Sequence, residues 1–458
     1  MSRRVLALVE GEPHLAAAAT AIQKLNNTSD FEVVGAVIIG TDDEPASADE
    51  LDQLNVPTIW SSSPIEGVRK GLENLSPDVV FDLCDEPTVC CAERMNVACE
   101  ILSLGTAYEG PDFSFSPAIP HTVCKKPSIA VIGTGGGVGK TAISSYMARV
   151  LSGQEGQYDE EWAPCIITME RGGPAEPEVI RGDELQVTPS YLLDMSDKGF
   201  DASSDHFENS LTAKVPTVGT RRCGGGLFGR VFESTAVKGV EAANDLPVDL
   251  LLLEAGGASI PDVTTDQTVV VVGANQPLER LTGLMGRCRT GRADLAVITL
   301  CEPPSADMAK VELVDKAIRD GNPSIKVVWT VFRPRPLTSI EDKKVIALTT
   351  AAREARETIV QHLCAVHGCE MLTMMHSLSN RARLKRDLAA AIREFPEADV
   401  LLTELKAASV EIATKVGLEN GLEVVFMDNS PESVGGDSSL DNLAIECAQN
   451  AKQKFTKR

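Results

Sequence analysis

No stretch of about 18 or more apolar residues runs anywhere in this chain, so it offers no candidate for a transmembrane helix. It offers no secretory leader either. In MSRRVLALVEGEPHL the apolar run stops at Glu10 and Glu12, and the segment reads as a first β-strand. The 12 cysteines include no C-x-x-C pair and lie scattered without a framework, a usage that predicts reduced thiols in a cytoplasmic protein. The nearest thing to a metal-ligand cluster is HLCAVHGC, with His362, Cys364, His367 and Cys369. One helix end cannot aim ligands so closely spaced at a single tetrahedral ion, and Gly368 reads instead as a helix C-cap. Positive charge is also short: 43 Lys and Arg against 66 Asp and Glu leave a net charge of −23. Such a surface repels nucleic acid and anionic membrane, so neither is expected as a partner. There is no internal repeat.

What is present begins with length. A chain of 458 residues exceeds what one hydrophobic core usually organises, so two or three domains are expected. The first 120 or so residues alternate strand-like and helix-like patterns (RVLALVE, HLAAAATAIQKL, FEVVGAVIIG, PDVVFDLCDE), which argues for a parallel α/β sheet with ligands at the strand C-termini. The proline-rich run PDFSFSPAIPHTVCKKP reads as a linker. Near-continuous apolar strands follow at SIAVIG, CIITME, VDLLLLEAGG, TVVVVG, DLAVITL and KVVWTVF, as expected where both faces of a sheet are covered. The last third opens with an apparent long helix, DKKVIALTTAAREARETIVQHLCAVHG, and the segment 429–441 reads as a flexible turn before a final helix.

The segment VIGTGGGVGKTA, after the strand SIAVIG and before a helix, carries the most specific chemistry. Glycines that let the backbone approach a ligand, followed by Gly-Lys-Thr at the start of a helix, are what a phosphate-binding loop requires. The expected ATP contacts are Gly133, Gly135, Gly136, Gly137, Val138, Gly139, Lys140, Thr141 and Ala142. Lys140 would reach the β- and γ-phosphates, and Thr141 would offer its hydroxyl to Mg²⁺. Counting back from Gly139 puts Thr134 where the usual spacing has its first glycine. Glu254, at the end of VDLLLLE, is the expected metal-associated carboxylate. The fold class expected is therefore α/β: a central P-loop NTPase domain with a mostly parallel sheet over 125–340, flanked by a Rossmann-like domain over 1–124 and a smaller α/β domain over 341–458.

Basic islands break the acidic background at 280–292, at TRRCGGGLFGR and at FRPRPL, which points to a small polyanionic ligand. Arg171 in TMERGGPAEPEVI would hold an anionic group, and Glu170, Glu176 and Glu178 could serve a metal or protons. Arg221 and Arg222, beside Gly224 and Gly225, read as a loop that clamps the acceptor. Adenine contacts stay open among Asn275, residues 301–304 and residues 334–337, which read equally well as ordinary loops.

The displaced first glycine resembles the G-T-x-x-x-V-G-K-T loop of dethiobiotin synthetase. The loop also resembles those of ATPases that carry a signature lysine reaching across a dimer, but here that position is Gly135. Across nearly the whole chain an ordered set resembles the cyclic 2,3-diphosphoglycerate synthetase family: GEPH, FDLCDEP, GTGGGVGKT, RGGPAEPEVI, RRCGGG, LEAGGASIP, VITLCEPP, VFRPRPL, HSLSNR and ELKAASVE. The resemblance implies ATP-driven closure of a phosphoanhydride in 2,3-diphosphoglycerate, with Mg²⁺ and release of ADP and phosphate. It adds His14 to the expected substrate ligands and casts Lys140, Arg171 and Glu254 as the catalytic set. A homodimer is a reasonable expectation for the class. Three alternatives stay open: a phosphoglycerate kinase, a carboxylate-activating ligase of the dethiobiotin synthetase type, and a nucleotide-switched interaction ATPase.

Overall fold

The computed structural model describes residues 2–11, 14–40, 51–86, 89–156, 158, 160–283 and 286–458. Glu12 and Pro13 of the GEPH motif, Pro87 of FDLCDEP, and Leu284 and Met285 of the 280–292 island lie outside the described residues. The chain forms two compact units, Met1–Ile119 with Leu278–Arg292, and Pro120–Pro277 with Ala293–Arg458. No described helix is long and apolar enough to cross a membrane.

In the first unit, strands β1 (Arg3–Glu10), β2 (Phe31–Ile39), β3 (Thr58–Ser61), β4 (Val79–Asp82), β5 (Ala107–Glu109) and β6 (Ser114–Phe115) form a sheet of order β3-β2-β1-β4-β5-β6. All its pairings are parallel except β5 with β6. The order reverses at β1, where strand C-termini open a crevice. The arginine island Leu278–Arg292 belongs to this unit.

The second unit is built on one sheet. Its strands are β7 (Ser128–Gly133), β8 (Pro164–Glu170), β9 (Glu178–Arg181), β10 (Pro216–Cys223), β11 (Glu233–Ser234), β12 (Leu250–Ala255), β13 (Gln267–Gly273), β14 (Leu295–Thr299), β15 (Lys326–Pro336), β16 (Lys344–Leu348), β17 (Glu370–Met375), β18 (Val400–Glu404) and β19 (Glu423–Gly436). They run in the order β11-β10-β8-β12-β7-β13-β14-β15-β19-β18-β16-β17, with β9 beside β10. The central strands β7 and β12 are buried along their whole length, as their unbroken apolar runs predict. The helix Lys140–Leu151 lies over them and buries Ile143, Met147 and Leu151 against Leu440, Leu443 and Cys447 of the terminal helix Leu440–Thr456.

Three expectations give way here. KVIAL is not the start of a long helix: Val345, Ile346, Ala347 and Leu348 are all fully buried as β16, because four consecutive buried positions suit a strand covered on both faces and not one helical stripe. The helix proper is Arg356–His367, ended by Gly368 in the left-handed region (φ 65°). The polar segment after Asp428 is not a flexible turn but the second half of β19, held by an antiparallel ladder from Val328 opposite Gly436 to Pro336 opposite Met427. Finally, Arg221 and Arg222 lie on β10 and not in a loop, so alternation sends their side chains to opposite faces. The residues after 340 thus extend the sheet that carries the phosphate loop.

A buried charge triad fastens β19 to the P-loop helix. Asp428 accepts hydrogen bonds from Arg149 Nη1 (2.9 Å) and from Arg335 Nη2 on β15 (3.1 Å), with Arg149 and Asp428 almost wholly buried. Asp428→Ala would remove one of the two carboxylates that meet the buried Arg149 and leave its charge to Glu155, 2.9 Å from Nε, so it should lower unfolding stability by about 1–3 kcal/mol in urea denaturation.

Candidate active site

The phosphate loop turns from β7 into the helix Lys140–Leu151 through Gly139, whose φ of 89° few side chains tolerate. A Cβ at Gly139 would also stand 2.4 Å from the Phe332 ring, so glycine is required twice over. Thr134, at the position of the displaced first glycine, donates its hydroxyl to Gln276 and its amide to the Val271 carbonyl (3.1 Å), which ties the loop to β13. Lys140 is buried (7 % exposed), and its Nζ donates to the Gly135 carbonyl at 2.9 Å. Burial pushes its pKa down, while Glu254 and Asp205 push it up.

Thr141 and Glu254, expected to share a metal, are brought together. Thr141 Oγ1 donates to Glu254 Oε1 at 2.6 Å, and Ser144 Oγ and Asn209 Nδ2 donate to Oε2 at 2.6 and 2.9 Å. Among the described residues the donors to this carboxylate are neutral, and it is 2 % exposed. An adjoining hydroxyl and carboxylate are hard oxygen donors of the kind Mg²⁺ takes, so the residues present fit that ion.

A cavity of about 680 Å³ opens over the loop. Besides Gly136, Gly137, Gly139, Lys140, Thr141 and Ala142, its walls include Glu254, Gly256 and Gly257 from the end of β12. Sequence reasoning missed several others. Asp205 and Glu208, at the start of the helix Asp205–Ala213, line it, as do Thr349 and Thr350 after β16 and Glu404 and Lys406 at the end of β18. Burial, then the carboxylates of Glu254, Glu170 and Glu208, raise the Asp205 pKa well above its ordinary value. Burial likewise raises that of Glu208, against the pull of Lys406, whose Nζ lies 3.5 Å away. Acids crowded in this way create a demand for added positive charge. The only signal for Asp205 in the sequence was a Ser-Asp pair opening a short helix, too common to single out.

Other expected residues fall into distinct settings. Arg222 faces inward and is 8 % exposed. Its Nη2 would lie 3.0 Å from a Cβ on Gly257, and its buried Nε has no partner among the described residues. Burial, then the neighbouring Arg171, lower its pKa. Arg171 is exposed after β8, while Arg221 faces outward and donates to the Gly173 carbonyl. Gly224, in the left-handed region (φ 70°), and Gly225 follow β10, and the Gly224 carbonyl accepts from Arg222 Nη1 at 3.3 Å. His14 belongs to the first unit, exposed at the start of the helix Leu15–Asn26. Arg333 and Arg335 are ion-paired, to Glu302 and to Asp428, so that island is largely neutralised from within.

The acids after β8 are likewise committed. Glu176 pairs with Lys238 (2.9 Å), while Glu170 and Glu178 grip the buried His206 at 3.1 Å (Nδ1) and 3.3 Å (Nε2). Glu170 also accepts the Asp205 amide at 2.8 Å, which fixes the turn carrying Asp205. Burial disfavours charge on His206, but the two glutamates outweigh it and raise its pKa to about 9. Since the folded value stands above the ordinary 6.5, this clamp stabilises the chain fully below about pH 6.5 and is lost as pH rises through about 9. His206→Gln should therefore flatten the fall in melting temperature across that window, as read by thermal denaturation at a series of pH values.

The chain matches the three domains that make up one family. The N-terminal domain of cyclic 2,3-diphosphoglycerate synthetase matches residues 4–116, its P-loop domain 128–331 and its C-terminal domain 336–430. A cyclic 2,3-diphosphoglycerate synthetase of Methanothermus fervidus is 39% identical over 99% of this chain and 98% of its own length. That of Methanothermobacter thermautotrophicus is 38% identical over the same shares. One from Rubrobacter xylanophilus is 37% identical over 96% of this chain and 97% of its own. A phosphate loop on a mostly parallel sheet, carried in a chain that aligns end to end with these synthetases, makes this a nucleotide-binding enzyme of the synthetase class, and the chain belongs to the cyclic 2,3-diphosphoglycerate synthetase family.

Proposed function

We propose that this enzyme uses ATP to close the intramolecular phosphoanhydride of cyclic 2,3-diphosphoglycerate from 2,3-diphosphoglycerate, releasing ADP and phosphate. The observation that carries the reading is the Thr141–Glu254 contact of 2.6 Å beside Lys140, inside a cavity large enough for two reactants. The loop amides and Lys140 would hold the β- and γ-phosphates of ATP. For this Lys140 must swing from the Gly135 carbonyl to a phosphate oxygen, a better partner for a buried ammonium. Thr141 and Glu254 would hold Mg²⁺, which when bound neutralises charge on the β- and γ-oxygens.

Two substrate phosphates repel each other, so one must be activated. An oxygen of one substrate phosphate attacks the γ-phosphorus in line and ADP leaves. An oxygen of the other then attacks the phosphorus of the first, displacing the transferred group as phosphate and closing the ring. Arg222, buried against Gly257 with an Nε that has no partner among the described residues, would meet the charge that builds on the transferred group, and the neighbouring Arg171 would extend that positive region outward. The acceptor is a small phosphorylated polyanion, which suits a site whose cations sit on the β8 and β10 side of the loop.

Incubation with ATP, Mg²⁺ and 2,3-diphosphoglycerate should yield ADP, phosphate and a cyclic product by ³¹P NMR. ATP turnover that ignores diphosphoglycerate, or phosphorylation of 2-phosphoglycerate in its place, would sink the cyclase reading. Lys140→Ala should abolish turnover with unchanged circular dichroism. Glu254→Gln, which keeps the size but removes the charge, should lower kcat by about 100-fold or more.

A further inference from the structure

Glu254 uses its two oxygens differently. Oε1 meets the Thr141 hydroxyl (2.6 Å), whereas Oε2 accepts from Ser144 Oγ (2.6 Å) and from Asn209 Nδ2 (2.9 Å). The terminal torsion of a glutamate is broad and nearly two-fold, so donors fixed on one oxygen are what hold the plane of its carboxylate. Ser144 follows Thr141 on one helix and comes with the phosphate loop. Asn209 comes from elsewhere in the chain. It is fully buried on the helix Asp205–Ala213, so it acts on a reactant only through Glu254.

The surrounding bonds leave that amide one orientation. A carboxylate only accepts, so Nδ2 must face Oε2, and Oδ1 takes the hydroxyl of Ser145 at 2.6 Å. Ser145 Oγ lies in turn 2.7 Å from Thr212 Oγ1, one turn along the helix that carries Asn209. Asn209 thus joins three elements at one buried point: the helix Lys140–Leu151, the end of β12 and the helix Asp205–Ala213. The first turn of this last helix brings Asp205 and Glu208 to the cavity, and Glu170 at the end of β8 holds its start through the Asp205 amide (2.8 Å). Resting on the reading of Thr141 and Glu254 as holders of Mg²⁺, we infer that Asn209 is a positioning residue, which tethers Oε2 and so keeps Oε1 turned to Thr141 for the metal. A ligand atom already held in place loses little freedom on binding. Outer partners of metal ligands are accordingly worth about 10- to 100-fold in metal affinity.

The tether predicts a separation between metal and nucleotide binding, and both can be read on the full chain without turnover. Calorimetry would follow ADP with Mg²⁺ and again in EDTA, and electron paramagnetic resonance would follow Mn²⁺ with ADP bound. In the native chain the metal should strengthen ADP binding. Asn209→Leu, close in shape but without a donor, should weaken Mn²⁺ by about 10-fold or more and leave ADP in EDTA within about twofold of native. Asn209→Ser, whose hydroxyl stops one bond short of Nδ2, should act alike. Ser145→Ala keeps the amide and removes the bond that orients it, so it should weaken Mn²⁺ by a smaller factor in the same direction. Were neither Asn209 variant to fold, Ser145→Ala decides alone. A merely structural Asn209 would lower the melting temperature and leave metal affinity alone. Mn²⁺ affinity within about twofold of native in every folded variant, or ADP in EDTA weakened as much as Mn²⁺, would overturn the tether while leaving the metal site standing. A native chain in which neither ion strengthens ADP binding would overturn the reading of Thr141 and Glu254 and the tether together.

Discussion

The second unit depends on the antiparallel ladder between β15 and β19. On one side of it lie the parallel strands that carry the phosphate loop; on the other lie β18, β16 and β17, parallel among themselves. Without the ladder these would be two sheets, each with a long unpaired edge, and such edges invite wrong partners. With it, the loops after β16 and β18 reach the cavity over Gly139–Thr141, and the Asp428 triad pins β19 to the P-loop helix from beneath.

Electrostatics within the cavity follow from that closure. An acidic chain repels a phosphorylated reactant, and the carboxylates crowded round Lys140 deepen the problem. Burial first, and then the neighbouring carboxylates, raise the pKa values of Asp205 and Glu208, and a divalent ion beside Thr141 and Glu254 would offset that crowding of acids. Arg222 supplies fixed positive charge behind Gly257, which lines the cavity, and its buried Nε has no partner among the described residues, while Arg333 and Arg335 are occupied by Glu302 and Asp428. Basic residues close in sequence therefore have unequal value: a neighbour in space decides whether each is available to a ligand.

Much of the fold was legible because its strands are covered on both faces. SIAVIG, CIITME, TVVVVG and DLAVITL have few other ways to satisfy both their apolar side chains and their backbone, and all appear as strands. The same physics misled at KVIAL, where lysines and a neighbouring helical pattern masked a short buried strand, and at residues 429–436, where turn-forming residues hid a paired strand. Such polar edge residues become strand only when a partner as long as β15 is present to bond their backbone.

By itself the sequence determined the phosphate loop, the helix that follows it and the carboxylate at the end of β12, because glycine freedom, a buried lysine and unbroken apolar strands are local demands. It also determined the family, through ordered motifs spread along the chain. Tertiary structure decided what those motifs meet: that Arg222 turns inward while Arg221 turns out, that Asp205 and Glu208 join Glu254 in lining the cavity, and that residues of the last third line it as well. Those contacts join residues far apart in the chain, such as Gly139 and Phe332, and no local propensity encodes them. They exist because side-chain alternation on β10 and pairing across β15 and β19 leave each of these groups one face to occupy.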